Sequence, residues 1–247
     1  MAGGSGTRMR IPGKNGGNGG NKVYLPLAGR PALAMALATL ASSPRVAAIV
    51  LVVRAGDENA AARVVDAAGG GKVVAVVPGG VTRHDSEQAG LAAVGAQRSA
   101  GATFRHVAIH DGARPFLTHR LLDALIDAAQ ATGGAIPVLP FTEPMAAVDG
   151  HGRPALMPTH DLVRVQTPQV FATDELLDAY AAARVDGFDG VDTAQVVERY
   201  SSLAVAAVPG DPRNIKVTTA ADLPVAEALA ARFVDGRWVD PASAGTS

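Results

Sequence analysis

The sequence predicts an α/β fold, a mostly parallel sheet with helices on both faces, and two observations carry that expectation. Short β-branched runs bounded by turn residues recur at 47–53, 73–77, 107–109, 135–139 and 203–208. Helix-like stretches at 31–41, 60–68, 85–96, 120–131, 173–183 and 194–200 alternate with them. That alternation is the pattern of a sheet whose strands are joined by crossover helices. With 247 residues, 48% of them hydrophobic, the chain can bury a substantial core, and we expect one domain over 1–239. Ligands in such sheets sit at the carboxyl ends of strands, so the loops after strands are the places to search.

Taken in chain order, the first such loop opens the sequence. Ala2, Gly3, Gly4 and Gly6 lead into Arg8, and Lys22 follows a second glycine-rich stretch. So few side chains let a ligand approach the backbone, whose N–H groups can grip phosphate oxygens. A guanidinium and an ammonium beside it suit the charge that develops when a phosphoryl group is attacked. Neither the G-x-x-x-x-G-K-[ST] nor the G-x-G-x-x-G spacing is present. The second loop, P-G-G-V-T-R-H-D-S at 78–86, offers the amide of Gly80 with Arg83 and Ser86. The third, H-D-G-A-R-P-F at 110–116, places Asp111 just past an apolar strand, a common way to hold Mg²⁺ against phosphates. Residues 140–159 break the alternation with Pro140, Pro144, Pro154 and Pro158 around a D-G-H-G turn, and read as an extended arm folded into a hairpin. R-N-I-K-V-T-T at 213–219 supplies Lys216 near the last strand, and the small, polar tail 240–247 is expected to be disordered.

Composition excludes several classes. There is no cysteine, hence no disulfide, thiolate nucleophile or Cys-ligated metal. A net charge of -1 argues against a general nucleic-acid or anionic-membrane binder. No run reads as a signal peptide or membrane span, so a cytoplasmic protein is expected. Each motif also has a plain structural reading: Asp111 as a turn cap, Arg83 and Asp85 as a solvated helix start, His110 as a packed histidine, Lys216 as a surface lysine.

The motifs in this order resemble the 2-C-methyl-D-erythritol 4-phosphate cytidylyltransferase family and the related ribitol-5-phosphate cytidylyltransferases. The family pattern is A-[AG]-G-x-G-x-R-M with a lysine shortly after, then G-G-x-x-R-x-x-S, H-D-[AG]-A-R-P, T-P-Q-x-F and N-I-K-[VI]-T. It stands here at 2–9 with Lys22, 79–86, 110–115, 167–171 and 214–218. The resemblance implies a Rossmann-like nucleotidyltransferase fold with a projecting β-arm that joins a homodimer. It implies transfer of CMP from CTP to a polyol phosphate, with release of pyrophosphate and with Mg²⁺ or another divalent cation. By position, Arg8, Lys22 and Lys216 would be catalytic. Ala2, Gly3, Gly4, Gly6, Gly80, Arg83, Ser86 and Asp111 would bind nucleotide, Asp111 would hold the metal, and Arg114 and Thr159 would face the acceptor. No nucleic acid or membrane partner is implied.

Three departures fall mainly on the acceptor side. Where the family arm carries D-T-[IM]-K, this chain has E-P-M-A, so Pro144 and Ala146 replace a threonine and a lysine. Thr159 stands where relatives place an arginine against the acceptor phosphate, removing a bidentate contact, with Arg153 or Arg164 as candidate replacements. Arg213 stands where relatives often carry an acid near the metal. Methylerythritol phosphate is the expected acceptor. The same chemistry on another polyol, sugar or cyclitol phosphate is the first alternative, and an inactive nucleotide-binding relative the second.

The resemblance also implies an apolar strand that runs into the glycine loop at the centre of the sheet. Here the loop begins at Met1, so two neighbouring strands are expected to lack a partner. The DNA just upstream should carry an in-frame segment of about strand length, rich in Val, Ile, Leu or Ala. A stop codon directly before Met1, with full activity of the chain as given, would overturn this.

Overall fold

The computed structural model describes residues 21–239. In chain order, after a short 3₁₀ turn at Lys22–Tyr24, come β1 (Pro26–Leu27), β2 (Arg30–Pro31), α1 (Ala32–Ser42), β3 (Ile49–Val53), α2 (Glu58–Ala67), β4 (Val73–Pro78), α3 (Arg83–Ser99), β5 (His106–Ile109) and α4 (His119–Thr132). They continue with β6 (Gly133–Pro140), β7 (Met145–Val148), β8 (Pro154–Met157), β9 (Val163–Val165), β10 (Gln169–Ala172), α5 (Thr173–Val185), α6 (Thr193–Tyr200), β11 (Ala204–Pro209), α7 (Leu223–Ala230), β12 (Phe233–Val234) and β13 (Arg237–Trp238). The glycine loop with Ala2, Gly3, Gly4, Gly6 and Arg8, and the tail 240–247, lie outside the described residues.

The main sheet runs β11-β6-β10-β5. β10 is antiparallel to both β5 and β6, while β11 is parallel to β6, so β5, β6 and β11 share one direction and β10 opposes them. β3 and β4 form a separate parallel pair. Alternate strand residues feed two layers. Val170 packs with Leu122 and Leu125 of α4, whereas its neighbour Phe171 packs with Leu176 of α5 and Val196 of α6. Ile49, Leu51 and Val53 of β3 meet Leu33 and Leu37 of α1 and Ala61 of α2. On the other face Gly90 of α3 lies so close to Val52 that a Cβ there would sit 2.9 Å from it. Helices cover both faces, as the alternation of runs predicts.

The reversed β10 has a consequence for the site. An antiparallel strand begins where its neighbours end, so Gln169 pairs with Ile109, the last residue of β5. That register delivers the segment before β10 to the carboxyl end of the sheet.

β3 is paired only with β4, and β5 only with β10, among the described residues. Between their other edges lies an apolar cavity of about 380 Å³, lined by Val50 and Val52 of β3, Val107 of β5, Leu37 of α1 and Leu91 and Val94 of α3. Ala108, in the middle of β5, is exposed. These two edges, of β3 and of β5, carry no second partner strand among the described residues.

The arm is the expected hairpin. β7 and β8 pair antiparallel from Met145↔Met157 to Val148↔Pro154, closed by a turn in which Asp149 accepts from the His151 and Arg153 N–H groups. β9 returns the chain to the sheet beside β6. Elements beyond the sequence expectation include β10, α7, only 8 residues long, and the closing β12–β13 hairpin, whose Phe233 meets Phe116 edge-on and whose Trp238 lies tilted against it. No helix among the described residues is long and apolar enough to cross a membrane.

The unpartnered edges predict an alternating pattern of hydrogen exchange. Amides of β3 and β5 that donate to β4 or β10 should be protected by orders of magnitude over those facing the cavity. Uniform protection along both strands would contradict the unpaired geometry.

Candidate active site

Four segments converge at the carboxyl end of the sheet. Residues 79–82 follow β4, 110–116 follow β5, Gln166, Thr167 and Pro168 precede β10, and 210–217 follow β11. They are stitched by hydrogen bonds that leave little slack. Asn214 Nδ2 donates to the Thr167 carbonyl at 2.9 Å, and Gln166 Nε2 donates to the carbonyls of Asp211 and Asn214. The Val217 N–H donates to the Ala113 carbonyl at 2.9 Å. Gln166, Thr167 and Asn214 are all buried, so these bonds satisfy groups that water cannot reach.

At the centre is the carboxylate of Asp111, 5% exposed. It meets Arg83 NH1 at 2.6 Å, Lys216 Nζ at 2.9 Å and Arg114 Nε at 3.5 Å. Burial alone would raise its pKa, but Arg83 and Lys216 outweigh that and hold it well below the usual carboxylate range. Burial lowers the Arg114 pKa, and Asp111 opposes the shift. Arg114 is also pinned from the other end, where its NH1 donates to the Asn214 carbonyl at 2.8 Å. One carboxylate facing three cations leaves local positive charge, which is the electrostatic requirement for gripping a polyphosphate.

His110 is packed, not a base. Its Nε2 donates to the Arg114 carbonyl at 3.0 Å, and its Nδ1 lies 3.3 Å from Thr167 Oγ1, which accepts the Asp111 N–H. Burial pushes the imidazole down to about 4, so it is neutral at physiological pH.

The second loop forms a cap. The Thr82 hydroxyl accepts the Asp85 N–H while the Asp85 carboxylate accepts the Thr82 N–H, both at 3.0 Å, closing a capping box at the start of α3. Asp85 is therefore structural, and Arg83 is fixed on the first turn. The Gly80 N–H donates to Ser86 Oγ at 3.1 Å, and a Cβ on Gly80 would collide with Asp85. Only glycine lets this backbone fold back on the helix.

Of the residues singled out in the sequence, Arg83, Asp111, Arg114 and Lys216 come together, with Gly80 and Ser86 alongside. Lys22 opens the 3₁₀ turn, and the adjacent Val23 shares a core with Ala113, which seats that turn against the 110–116 loop. Thr159 is not brought in: it closes a turn in the arm, where its carbonyl accepts the Leu162 N–H, and no hydrogen bond joins it to the Asp111 cluster among the described residues. Arg213 pairs with Asp211 through Nε at 3.0 Å and NH2 at 2.9 Å and lies over the Trp238 ring at 4.3 Å. It thus occupies the Asp211 carboxylate, three residues before Asn214. Among the described residues no three His, Asp or Glu side chains group as a metal site. Asp111, the expected metal ligand, has both carboxylate oxygens engaged, Oδ1 by Arg83 and Oδ2 by Lys216 and Arg114.

Glu87, Gln166, Thr167 and Asn214 were not assigned roles from sequence. Thr167 and Asn214 stand inside the quoted T-P-Q and N-I-K segments, so the signal for them was present. Glu87 carried only its place four residues after Arg83 on one helix.

The profile of the 2-C-methyl-D-erythritol 4-phosphate cytidylyltransferase family matches residues 1–232. The bifunctional enzyme IspD/IspF of Solidesulfovibrio magneticus is 42% identical over 236 residues, which cover 93% of this chain and 56% of that protein. The chain spans about half the length of such bifunctional relatives. The 2-C-methyl-D-erythritol 4-phosphate cytidylyltransferase of Solibacter usitatus is 38% identical over 229 residues, 91% of each chain. Among solved structures, the cytidylyltransferase of Thermus thermophilus superposes with a TM-score of 0.71 at 33% identity, covering 86% of this chain and 95% of that one. The 4-diphosphocytidyl-2C-methyl-D-erythritol synthase of Anaerococcus prevotii gives 0.75 at 27% identity and 92% of each chain.

The charge cluster predicts how Asp111→Asn behaves. Removing one partner of a buried ion pair typically costs about 3–5 kcal/mol, because the other charges are left uncompensated. A thermal or urea melt should show a loss of that order, and an unchanged melt would show that the carboxylate does not hold the cluster together.

Proposed function

The chain belongs to the 2-C-methyl-D-erythritol 4-phosphate cytidylyltransferase family, and on that premise we propose that it transfers CMP from CTP to 2-C-methyl-D-erythritol 4-phosphate, releasing pyrophosphate. The observation that carries the reading is the Asp111 cluster, where Arg83, Arg114 and Lys216 from three separate segments are gathered at the ends of the strands. A phosphate oxygen of the acceptor attacks the α-phosphorus of CTP in line. One P–O bond forms as the bond to the pyrophosphate oxygen breaks. Such a step needs positioning and charge stabilisation more than a strong base. Lys22, Arg8 and Lys216 are assigned to the developing charge on the α-phosphoryl oxygens. Arg83, Ser86 and the backbone at Gly80 are assigned to the nucleotide, and Arg114 to the acceptor side. Asp111 is assigned to a divalent cation, which would supply charge neutralisation of the phosphates. The charged substrates favour a cytoplasmic reaction.

A specific observation supports a second reading. Pro144, Ala146 and Thr159 depart from the family on the acceptor side, which favours another polyol phosphate such as ribitol 5-phosphate. Arg164 lies on β9, opposite Leu139 of β6 and three residues before Thr167, whereas Arg153 lies at the far end of the arm. Of the two replacements, Arg164 is therefore nearer the site along the chain.

The arm supports a homodimer. Val148 and Leu156 are 66% and 81% exposed, and Met145, Met157, Val163 and Val165 are exposed with them. An apolar hairpin of this kind is the kind of surface that a second copy covers.

Pyrophosphate release with CTP against a panel of acceptor phosphates tests the reading; no release with any of them would sink it. Lys22→Ala should lower kcat by orders of magnitude with far less change in CTP affinity, since an ammonium beside the loop acts on developing charge. Equal losses in binding and turnover would leave it a binding lysine. Turnover of methylerythritol phosphate should be weak, and Thr159→Arg should improve it. Ordinary family efficiency in the unaltered protein would show that another residue holds the acceptor phosphate.

A further inference from the structure

Glu87 is the most deeply buried charge among the described residues, its side chain wholly removed from solvent, and the reaction proposed above gives it no task. Both of its oxygens are nonetheless engaged. Oε1 accepts from Arg83 Nε at 2.8 Å and from Thr193 Oγ1 at 2.9 Å, and Oε2 accepts from the Tyr180 hydroxyl. Tyr180 is itself held, stacked on His84 with ring centroids 4.9 Å apart. Burial, reinforced by the Glu87 carboxylate, drives the Tyr180 pKa far above its ordinary value, so the phenol remains a donor. Thr193 is the first residue of α6, capped by Asp192. The carboxylate therefore ties α3 to both α5 and α6.

The pattern of donors on Arg83 gives this knot a purpose. Nε is spent on Glu87 at 2.8 Å and NH1 on Asp111 at 2.6 Å, two different nitrogens of one planar guanidinium. Two contacts on different nitrogens fix both the position and the plane of the fork. NH2 is buried and without a hydrogen-bond partner among the described residues, a costly arrangement for a donor. Such a donor, held rigid at the edge of the charge cluster, gains its missing partner when a ligand displaces what covers it.

We propose that Glu87, braced by Tyr180 and Thr193, is a positioning residue that locks the Arg83 guanidinium so that its remaining edge is presented to the bound nucleotide. The inference rests on the nucleotide reading of this site. It adds a buried back wall, reaching 106 residues along the chain to Thr193. Glu87 touches no substrate and acts only through Arg83.

Steady-state kinetics and calorimetric CTP binding on the full chain test it, with melting temperature measured alongside. Glu87→Gln keeps the shape but loses the charge and turns one acceptor into a donor facing donors. It should raise the Kd and KM for CTP by about tenfold to a hundredfold, the range for hydrogen bonds to charged groups. Per folded site, kcat and the acceptor KM should change by less than about threefold, because those steps use other cations. Tyr180→Phe, which leaves Glu87 charged and removes one brace, should raise the CTP KM by about threefold to tenfold. It carries the test by itself if Glu87→Gln does not fold. A merely structural Glu87 would lower the melting temperature and the active fraction and leave the CTP KM within about twofold in both variants, which would overturn the proposal. If the unaltered protein binds no CTP, the nucleotide reading itself fails.

Discussion

One buried carboxylate organises the functional end of this molecule. Arg83, Arg114 and Lys216 reach it from α3, from the turn after β5 and from the segment after β11. Without Asp111, three cations would face one another in a region largely closed to water, where charge is weakly screened. With it, their repulsion is offset and a surplus of positive charge remains. The wider fold serves this meeting. The reversed β10 brings Gln166 and Thr167 to the strand ends, and the Asn214 side chain, the Gln166 side chain and the Val217 N–H draw the last segment in.

Support around that centre is unequal. On the α3 side, Arg83 is held front and back by two buried carboxylates, which pushes its pKa up despite burial. On the β3 and β5 side, two strands face an apolar cavity without a described strand between them. Buried backbone groups are nearly always paired, so this is the place where the described architecture is least complete as a packed sheet. Its lining includes His110 and Gly112, and Asp111 between them takes its bonds from Arg83, Arg114, Lys216 and Thr167, while Ala113 packs in the same core as β3.

The strands were legible as unbroken apolar runs, in Ile49–Val53 because both faces are largely buried, and in Val73–Pro78 from the β-branched run itself, although its alternate residues are exposed. Gln169–Ala172 was not legible as a strand, because 4 residues that begin with a buried glutamine carry no periodicity. Leu223–Ala230 was too short for a helical repeat to emerge. In the site, the motifs supplied Asp111, Arg83, Arg114 and Lys216 by type and order. The plain reading was right for His110, which is packed, and for Asp85, which caps α3. Glu87 stayed hidden because two of its three partners, Tyr180 and Thr193, lie 93 and 106 residues away. Only the fold reveals that a helix-internal glutamate is the back wall of an arginine. Arg213, read as a loss near the metal, instead closes a local pair with Asp211 against Trp238.

The most direct test of the account is a crystal structure of this protein with CTP and a divalent cation. The account predicts the triphosphate at the carboxyl end of the sheet, with Lys216 turned to its α-phosphate. Arg83 should remain between Glu87 and Asp111, with NH2 donating to the nucleotide. A nucleotide bound elsewhere, with the Asp111 cluster unchanged and Arg83 NH2 still without a partner, would contradict it.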